Sequence, residues 1–429
     1  MHLKNVTLTD FRSFEELEWE IGADEGAGWH VLLGTNGSGK SSVLQAIAMA
    51  LIGPQEFLAA RPDLPGLVRR DTEGQRRAAA SVALQVSGAT TWDPVFADDG
   101  KFRGLIEVQL APSDSGAWSI GEPVKWPASG WFSASFGPMR RLFGRSEIPQ
   151  SIARSFPRLA QHLTLFDDDV ALGDTVEWLK SLRFRVLDAK ERQGKSSGKQ
   201  SALASEFLTD VKSFINQPDF LPYGVQLVDI DSDGVTFKDG NGVELPLREL
   251  SAGYHAVLSL TFEVIRLMSD AFNGKRIFNK AATQVDAPGV VMIDEVDVHL
   301  HPAWQRDIGP CLTRMFPNVQ FIVTTHSPLI CQAAVKGSVW KLAAPGEAVG
   351  IQRIEGEQLQ RVLYGDVLHA LNSEAFGGIP GRSDVALAKM RRFAELNQLA
   401  QAGKLKEPAR LEQEALRKEL EGVLPGRGR

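Results

Sequence analysis

The chain is 429 residues long, more than one ordinary domain needs, so a main core with a second lobe is expected. An apolar fraction of 43% beside 23% charged residues is that of a globular protein rather than a disordered or membrane-embedded one. With 47 basic against 53 acidic residues the net charge is −6, which excludes a chain basic overall and restricts any nucleic-acid surface to a local patch.

Residues 1–33 alternate like strands and end in the apolar run Trp29-His30-Val31-Leu32-Leu33. A helix is expected over 40–52, with Val43, Leu44, Ile47 and Leu51 on one face and Gly53 as its stop. An Arg/Pro/Gly-rich connection follows, then strand-like stretches at 80–86, 105–111 and 130–136. Residues 147–219 read as mostly helical, interrupted by the polar loop GKSSGKQ at 194–200. "VTFKDGNGVELPL" (235–247) reads as a hairpin turning through Asp-Gly-Asn-Gly, residues that tolerate positive φ. A long helix at 252–268 and strands at 289–293 and 319–324 come next. The tail from 383 to 424 holds two amphipathic helices separated by Gly403: Val385, Met390, Phe393, Leu396 and Leu399 line the first, and Leu411, Leu416 and Leu420 the second. Cys311 and Cys331 lack metal-ligand spacing and read as reduced core residues. The start, MHLKNVTLTDFRSFEE, has no apolar signal core and no segment approaches a membrane span, so a soluble, cytoplasmic protein is expected.

Four stretches carry chemistry. "GTNGSGKS" matches the P-loop pattern in full, between an apolar strand and a helix. Gly34, Thr35, Asn36, Gly37, Ser38 and Gly39 are expected to curl their N–H groups around phosphates, aided by the helix N-terminus. Lys40 would reach the terminal phosphates, Ser41 would ligate Mg²⁺, and Ser42 completes the first helical turn. In "VVMIDEVDVHLHPAWQ", Asp294 and Glu295 fall at the carboxyl end of a strand, where open α/β sheets bind ligands. Asp294 suits the outer sphere of Mg²⁺, and Glu295 can deprotonate the attacking water. In "QFIVTTHSP", His326 at a strand end can hydrogen-bond the γ-phosphate, against the plainer reading of a strand-end cap. In "LSAGYH" (250–255), Ser251 can cap a helix or bind a phosphate oxygen, and Gly253 admits close backbone approach. After Glu249 the next acid is Glu263, so no carboxylate in the first turns would repel an anion.

Other stretches read as structural or solvated. His299 and His301 lack further ligands nearby for zinc, and Pro302 reads as keeping them in a loop. "DIDSDG" (229–234) copies half a calcium loop, but its twelfth position is Gly240 rather than glutamate. Asp167-Asp168-Asp169 reads as a solvated run. The stretch Arg183–Lys199 has six Lys/Arg against two acids, which makes DNA a candidate partner there beside a merely solvated face.

"FRSF" (Phe11–Phe14), the P-loop, "LSAGY", "MIDEVDVHLHP" and "TTHSP" follow one another as in the RecF/SMC-like branch of ABC-type ATPases, which the chain resembles. Within that branch it is similar to the short bacterial ATPases akin to the OLD-family ATPase domain and the PtuA component of Septu antiviral systems. The resemblance is good over 1–55 and 225–345, loose over the intervening lobe, and general in the tail. It implies an α/β fold: an ABC-type P-loop NTPase head with a mixed central sheet and flanking helices, an antiparallel β subdomain, an inserted helical lobe and a C-terminal helical hairpin. The corresponding divisions are 1–145 with the P-loop, 146–220 for the lobe, 221–345 with the signature and acids, and 346–429 for the helical region.

The resemblance also implies a homodimer sandwiching two ATP with Mg²⁺, and higher oligomers built from it. Ser251 and Gly253 would face the partner's γ-phosphate, Arg12 would lie near the nucleotide, and His301 would sit in the loop contacting the other head. Two departures stand out. Ala252 and Tyr254 replace the glycine and glutamine of transporter signatures, and "SASFGPMRR" (133–141), which leads into the lobe, lacks the metal-binding glutamine. The expected function is ATP hydrolysis organising an antiviral or DNA-processing assembly, with a separate effector such as a nuclease and no membrane partner. The alternatives are a RecF-like repair ATPase, a transporter subunit, and a switch that binds ATP without turnover.

Overall fold

A computed structural model of the chain describes residues 1–22, 26–88, 92, 104–121, 131–139, 146–147, 155–167, 170–171, 174–191, 198–218, 220–231, 234–272, 275–347, 350–377 and 383–420. They divide into two compact units, Met1–Val367 and Leu368–Arg429.

In the first unit, β1 (His2–Phe11) and β2 (Phe14–Glu20) form an antiparallel hairpin whose alternate residues Val6, Leu8, Leu17 and Trp19 are buried. β3 (Gly28–Leu33) is buried along its whole length and leads through the P-loop into α1 (Lys40–Ile52). β4 (Ala80–Ser87), β5 (Leu105–Pro112) and β6 (Trp118–Gly121) extend the first hairpin into a five-stranded sheet of order β2-β1-β4-β5-β6. β7 (Ser133–Phe136) belongs to another sheet; after it, β8 (Ser146–Glu147) and β9 (Val170–Ala171) pair across α2 (Pro157–His162).

The helical lobe is the pair α3 (Asp174–Glu191) and α4 (Gly198–Ile215). Phe207 and Phe214 of α4 meet Phe278 at tilted and edge-on angles, Phe214 also meets Phe316, and Phe316 meets Phe321 of the central sheet at 6.2 Å, so aromatic edges join lobe to core. β10 (Gln226–Ile230), β11 (Val235–Lys238) and β12 (Glu244–Pro246) make a three-stranded antiparallel sheet. The second turn is the expected one: Gly242 has φ 85°, and the Asp239 carboxylate accepts from the N–H groups of Asn241 and Val243.

α5 (Ala252–Ala271), β13 (Gly289–Ile293), α6 (Pro302–Met315), β14 (Val319–Thr324), β15 (Gly337–Leu342) and β16 (Ile351–Arg353) complete the unit. The central sheet runs β16-β15-β3-β14-β13-β7, parallel throughout except for β16. Its strands β3, β7, β13 and β14 are buried along their whole length because both faces are covered. α1 lies between this sheet and the antiparallel one, and all its residues except Ser41, Ser42 and Gln45 are buried. The single apolar face expected for α1 is thus too narrow a description: covered on two sides, it is apolar almost all round, with Ala46, Ala48 and Ala50 keeping it slim. Gln320 stitches the layers, its amide exchanging hydrogen bonds of 2.7 and 2.9 Å with the backbone of Leu3.

His299 and His301 lie in the turn segment ahead of a helix, as the sequence reading of a loop there expected; the helix that follows was not foreseen. His301 is the N-cap and Pro302 the first residue of α6, where a missing N–H and a fixed φ suit helix initiation. In the second unit, α7 (Asp384–Gln401) and α8 (Glu407–Leu420) form an antiparallel hairpin around Gly403, φ 68°. Arg392 grips both oxygens of Glu412 at 2.9 and 2.8 Å, and Gln413 donates to Asn397. Only part of the expected stripe is covered: Leu396 and Leu420 are buried, whereas Val385, Leu399 and Leu411 are exposed.

Candidate nucleotide site

Strand register assembles the site. Val31, Val323 and Ile293 stand side by side on parallel β3, β14 and β13. The chain therefore leaves all three strands at one edge, through Gly34, Thr325–His326 and Asp294–Glu295 respectively.

The P-loop is shaped by glycines where nothing larger fits. Gly39 has φ 91°, and a Cβ there would lie 2.5 Å from the Phe14 ring, so "FRSF" backs the loop. A Cβ on Gly34 would meet Ser38 Oγ at 2.3 Å. Thr35, Asn36 and Gly37 form the exposed crest, while the Ser38 hydroxyl is buried without a hydrogen-bond partner among the described residues. The first turn of α1 has no acid and no side-chain cap, which leaves its N–H groups and positive end directed at the loop. An orphaned buried hydroxyl, a cradle that a side chain would fill and a bare helix N-terminus together fit a phosphate chain.

Lys40 is buried, and its Nζ donates to Gly34 O at 2.9 Å, Thr35 O at 3.2 Å and His326 Nε2 at 2.9 Å. Burial lowers its pKa, opposed by Asp294, Glu295 and Asp297. Because an ammonium only donates, His326 Nε2 must be an acceptor, which makes the ring neutral. Burial and then Lys40 push the His326 pKa down, against the raising effect of the same three acids.

Asp294 is buried, its N–H donates to Phe136 O at 2.8 Å, and one carboxylate oxygen accepts from Thr324 Oγ1 at 2.5 Å. The N–H of Glu295 donates to the same hydroxyl at 2.7 Å, which holds Glu295 at the strained φ of 45°. One residue further round, Thr325 Oγ1 donates to Asp297. Arg12, at φ 48°, reaches Ser42 Oγ with Nη1 at 3.5 Å, and burial lowers its pKa. The structure thus gathers Gly34–Ser42, Arg12, Asp294, Glu295 and His326. Thr324 and Asp297 were missed as members of the site; the polar pair "TT" and the second acid of "DEVD" were the available signal.

Ser251 and Gly253 stand apart, with no hydrogen bond to residues 34–42 among the described residues. Ser251 is the exposed N-cap of α5, yet its hydroxyl makes no cap bond and the first turn has no acid. Gly253 is buried against Trp304, whose Nε1 a Cβ would approach to 3.1 Å. His301 is exposed, and its Nδ1 accepts from Ala303 N at 3.3 Å as the cap of α6.

β7 ends at Phe136, and Gly137-Pro138 follow without a glutamine; Arg140 and Arg141 lie outside the described residues. So do the side chains of 188–201, with most of the basic stretch, as well as Asp168, Asp169, Ser232 and Asp233. Among the described residues no group of three or more His, Cys, Asp or Glu is arranged to hold a metal, and no helix is long and apolar enough to cross a membrane.

Two family models match the chain: "AAA domain" over residues 5–115 and "AAA domain, putative AbiEii toxin, Type IV TA system" over 138–332. The Septu protein PtuA of Bacillus mycoides is 26% identical over 79% of this chain, which spans 40% of that protein's length. The Retron Ec83 probable ATPase of Escherichia coli is 25% identical over 80% of the chain and 71% of its own length. A solved SMC head bound to the C-winged helix domain of ScpA aligns over 84% of the chain at 16% identity, with a TM-score of 0.49. With its motifs in order, its strand ends in register and relatives matched along most of its length, the chain carries AAA-type ATPase domains and is similar to the RecF/SMC-like ATPases of the OLD/PtuA-like group.

Proposed function

We propose that the chain hydrolyses ATP at two composite sites in a homodimer and serves as the ATPase of a defence-type assembly with a separate effector. The observation that carries this is the convergence of Lys40, Asp294, Glu295 and His326 at the ends of three adjacent parallel strands. Gly34–Ser42 bind the phosphates, and Lys40 turns from the Gly34 and Thr35 carbonyls to the β- and γ-phosphates. Ser41 and Asp294 would hold Mg²⁺, which when bound neutralises charge on the phosphates. Glu295 takes a proton from the attacking water, while His326, neutral, donates to the γ-phosphate from the ring nitrogen that carries its proton. Arg12 adds positive charge beside the nucleotide.

The uncapped hydroxyl of Ser251 and the N–H groups at Gly253 suit a γ-phosphate delivered by the other subunit, and His301 lies in the loop that would meet it. Relatives named for Septu and retron systems support the defence setting. ATP binding and turnover in two variants test the hydrolytic part. Lys40→Ala should weaken ATP binding at least tenfold. Glu295→Gln should keep binding, lower turnover by about a hundredfold or more and accumulate ATP-bound dimers. Wild-type turnover in Glu295→Gln would remove that residue from the mechanism.

A further inference from the structure

Resting on the ATPase reading above, we infer that the first turn of α6 couples the signature helix to the hydrolytic loop. Gln305 is the positioning residue for Glu295 and His326, and Trp304 is its contact with α5.

Gln305 joins the segments that follow the two acidic and histidine strand ends. Its Nε2 donates to Leu300 O at 2.9 Å and Asp297 O at 3.4 Å, bracing the loop that carries Glu295. Its Oε1 accepts from Ser327 Oγ at 2.7 Å, on the residue after His326. Ser327 N donates to Thr325 Oγ1 at 2.9 Å, and Thr325 donates to Asp297. Asp297, Gln305, Ser327 and Thr325 therefore form a closed, half-buried ring of hydrogen bonds spanning both loops. The enclosed loop needs such a brace, because Glu295 and His299 have φ of 45° and 66°, which ordinary residues adopt only under constraint. A satisfied polar network of this kind rigidifies what it joins.

Trp304, one residue earlier, points to α5. Its indole Nε1 lies 3.1 Å from where a Cβ on Gly253 would be, and Tyr254 meets its ring edge-on at 5.3 Å. Tyr254 is fixed in turn by its hydroxyl, which donates to Pro222 O at 3.0 Å just past the helical lobe. With Trp304 edge-on to Tyr254 and beside Gly253, a shift of the α5 N-terminus on taking up a phosphate moves Trp304, and Gln305 with it. The residue at the glutamine position of transporter signatures, Tyr254, thus has a task inside its own chain.

Steady-state ATP turnover and the affinity for a fluorescent ATP analogue, measured on the full chain, test this. Gln305→Ala should lower kcat by about tenfold or more, since loosening a reacting group by about 1 Å costs up to about a hundredfold. Its nucleotide affinity should stay within about twofold of wild type, a split that general destabilisation would not produce. Gln305→Glu keeps the side chain's size and its acceptor but cannot donate to the two carbonyls. It should fall likewise, and it carries the test where the alanine variant does not fold. Trp304→Ala should lower kcat in the same way, and Trp304→Phe, which keeps a ring against Tyr254, should recover most of it. An active wild type with unchanged kcat in both Gln305 variants overturns this inference alone. A wild type that binds ATP and never turns it over removes the parent reading, and this one with it.

Discussion

Thr324 donates to Asp294 and accepts from the N–H of Glu295, so one hydroxyl at the end of β14 orients both acids at the end of β13. A similar economy governs β7, whose Phe136 carbonyl accepts from Asp294 N. That strand is held from behind by His162, fully buried, with Nε2 and Nδ1 each 2.9 Å from the hydroxyls of Ser133 and Ser135. Burial pushes the His162 pKa from 6.5 down to about 3. Between those values the unfolded chain binds a proton that the folded chain refuses, so stability falls as pH drops below 6.5. At about 1.4 kcal/mol per pH unit, acidification from pH 6.5 to 4.5 should remove roughly 2 kcal/mol through this residue. Urea midpoints measured across that range should fall less steeply in His162→Gln than in wild type, although the variant starts less stable at pH 7. Equal slopes would show that His162 is not the source.

The elements that place the site were legible because their patterns are local. The helix expected over 252–268 spans Ala252–Ala271, and the strands expected at 289–293 and 319–324 have those bounds. α1 was placed correctly but its burial was underestimated, since covering by two sheets is a tertiary fact that a heptad-like count cannot hold. α6 was missed because a proline that opens a helix and one that breaks it look alike without the preceding cap. β15 and β16 gave no signal apart from Trp340 and its neighbours, and they pair with elements some three hundred residues away or across a loop. Thr324, Asp297 and Gln305 escaped for the same reason: their roles come from register between strands, not from spacing within a motif. The α7–α8 hairpin forms a unit apart from the head, with Arg392–Glu412 and Gln413–Asn397 binding its helices to each other. A chain ending at residue 367 should therefore stay folded and bind ATP as wild type does. It should also lose an effector that the full chain retains in a pull-down. Insoluble or nucleotide-blind protein would instead make the hairpin part of the head's own core.

At the scale of the whole molecule, the P-loop, both acids and His326 make up one half of the proposed nucleotide site, while Ser251 heads a helix without a side-chain cap bond and, among the described residues, makes no hydrogen bond to that half. A two-fold partner supplies the missing half in the proposed dimer, giving two sites that each draw on both subunits. The most direct measurement mixes two inactive variants, Lys40→Ala and Ser251→Arg, and follows ATP hydrolysis together with light scattering. In a heterodimer both lesions fall in one composite site and the other is intact. The account predicts that hydrolysis returns on mixing, to at most about half of wild type per site, and that wild-type protein dimerises when ATP is added. Hydrolysis that stays absent on mixing, with wild-type protein monomeric in ATP, would contradict it and assign Ser251 to its own chain.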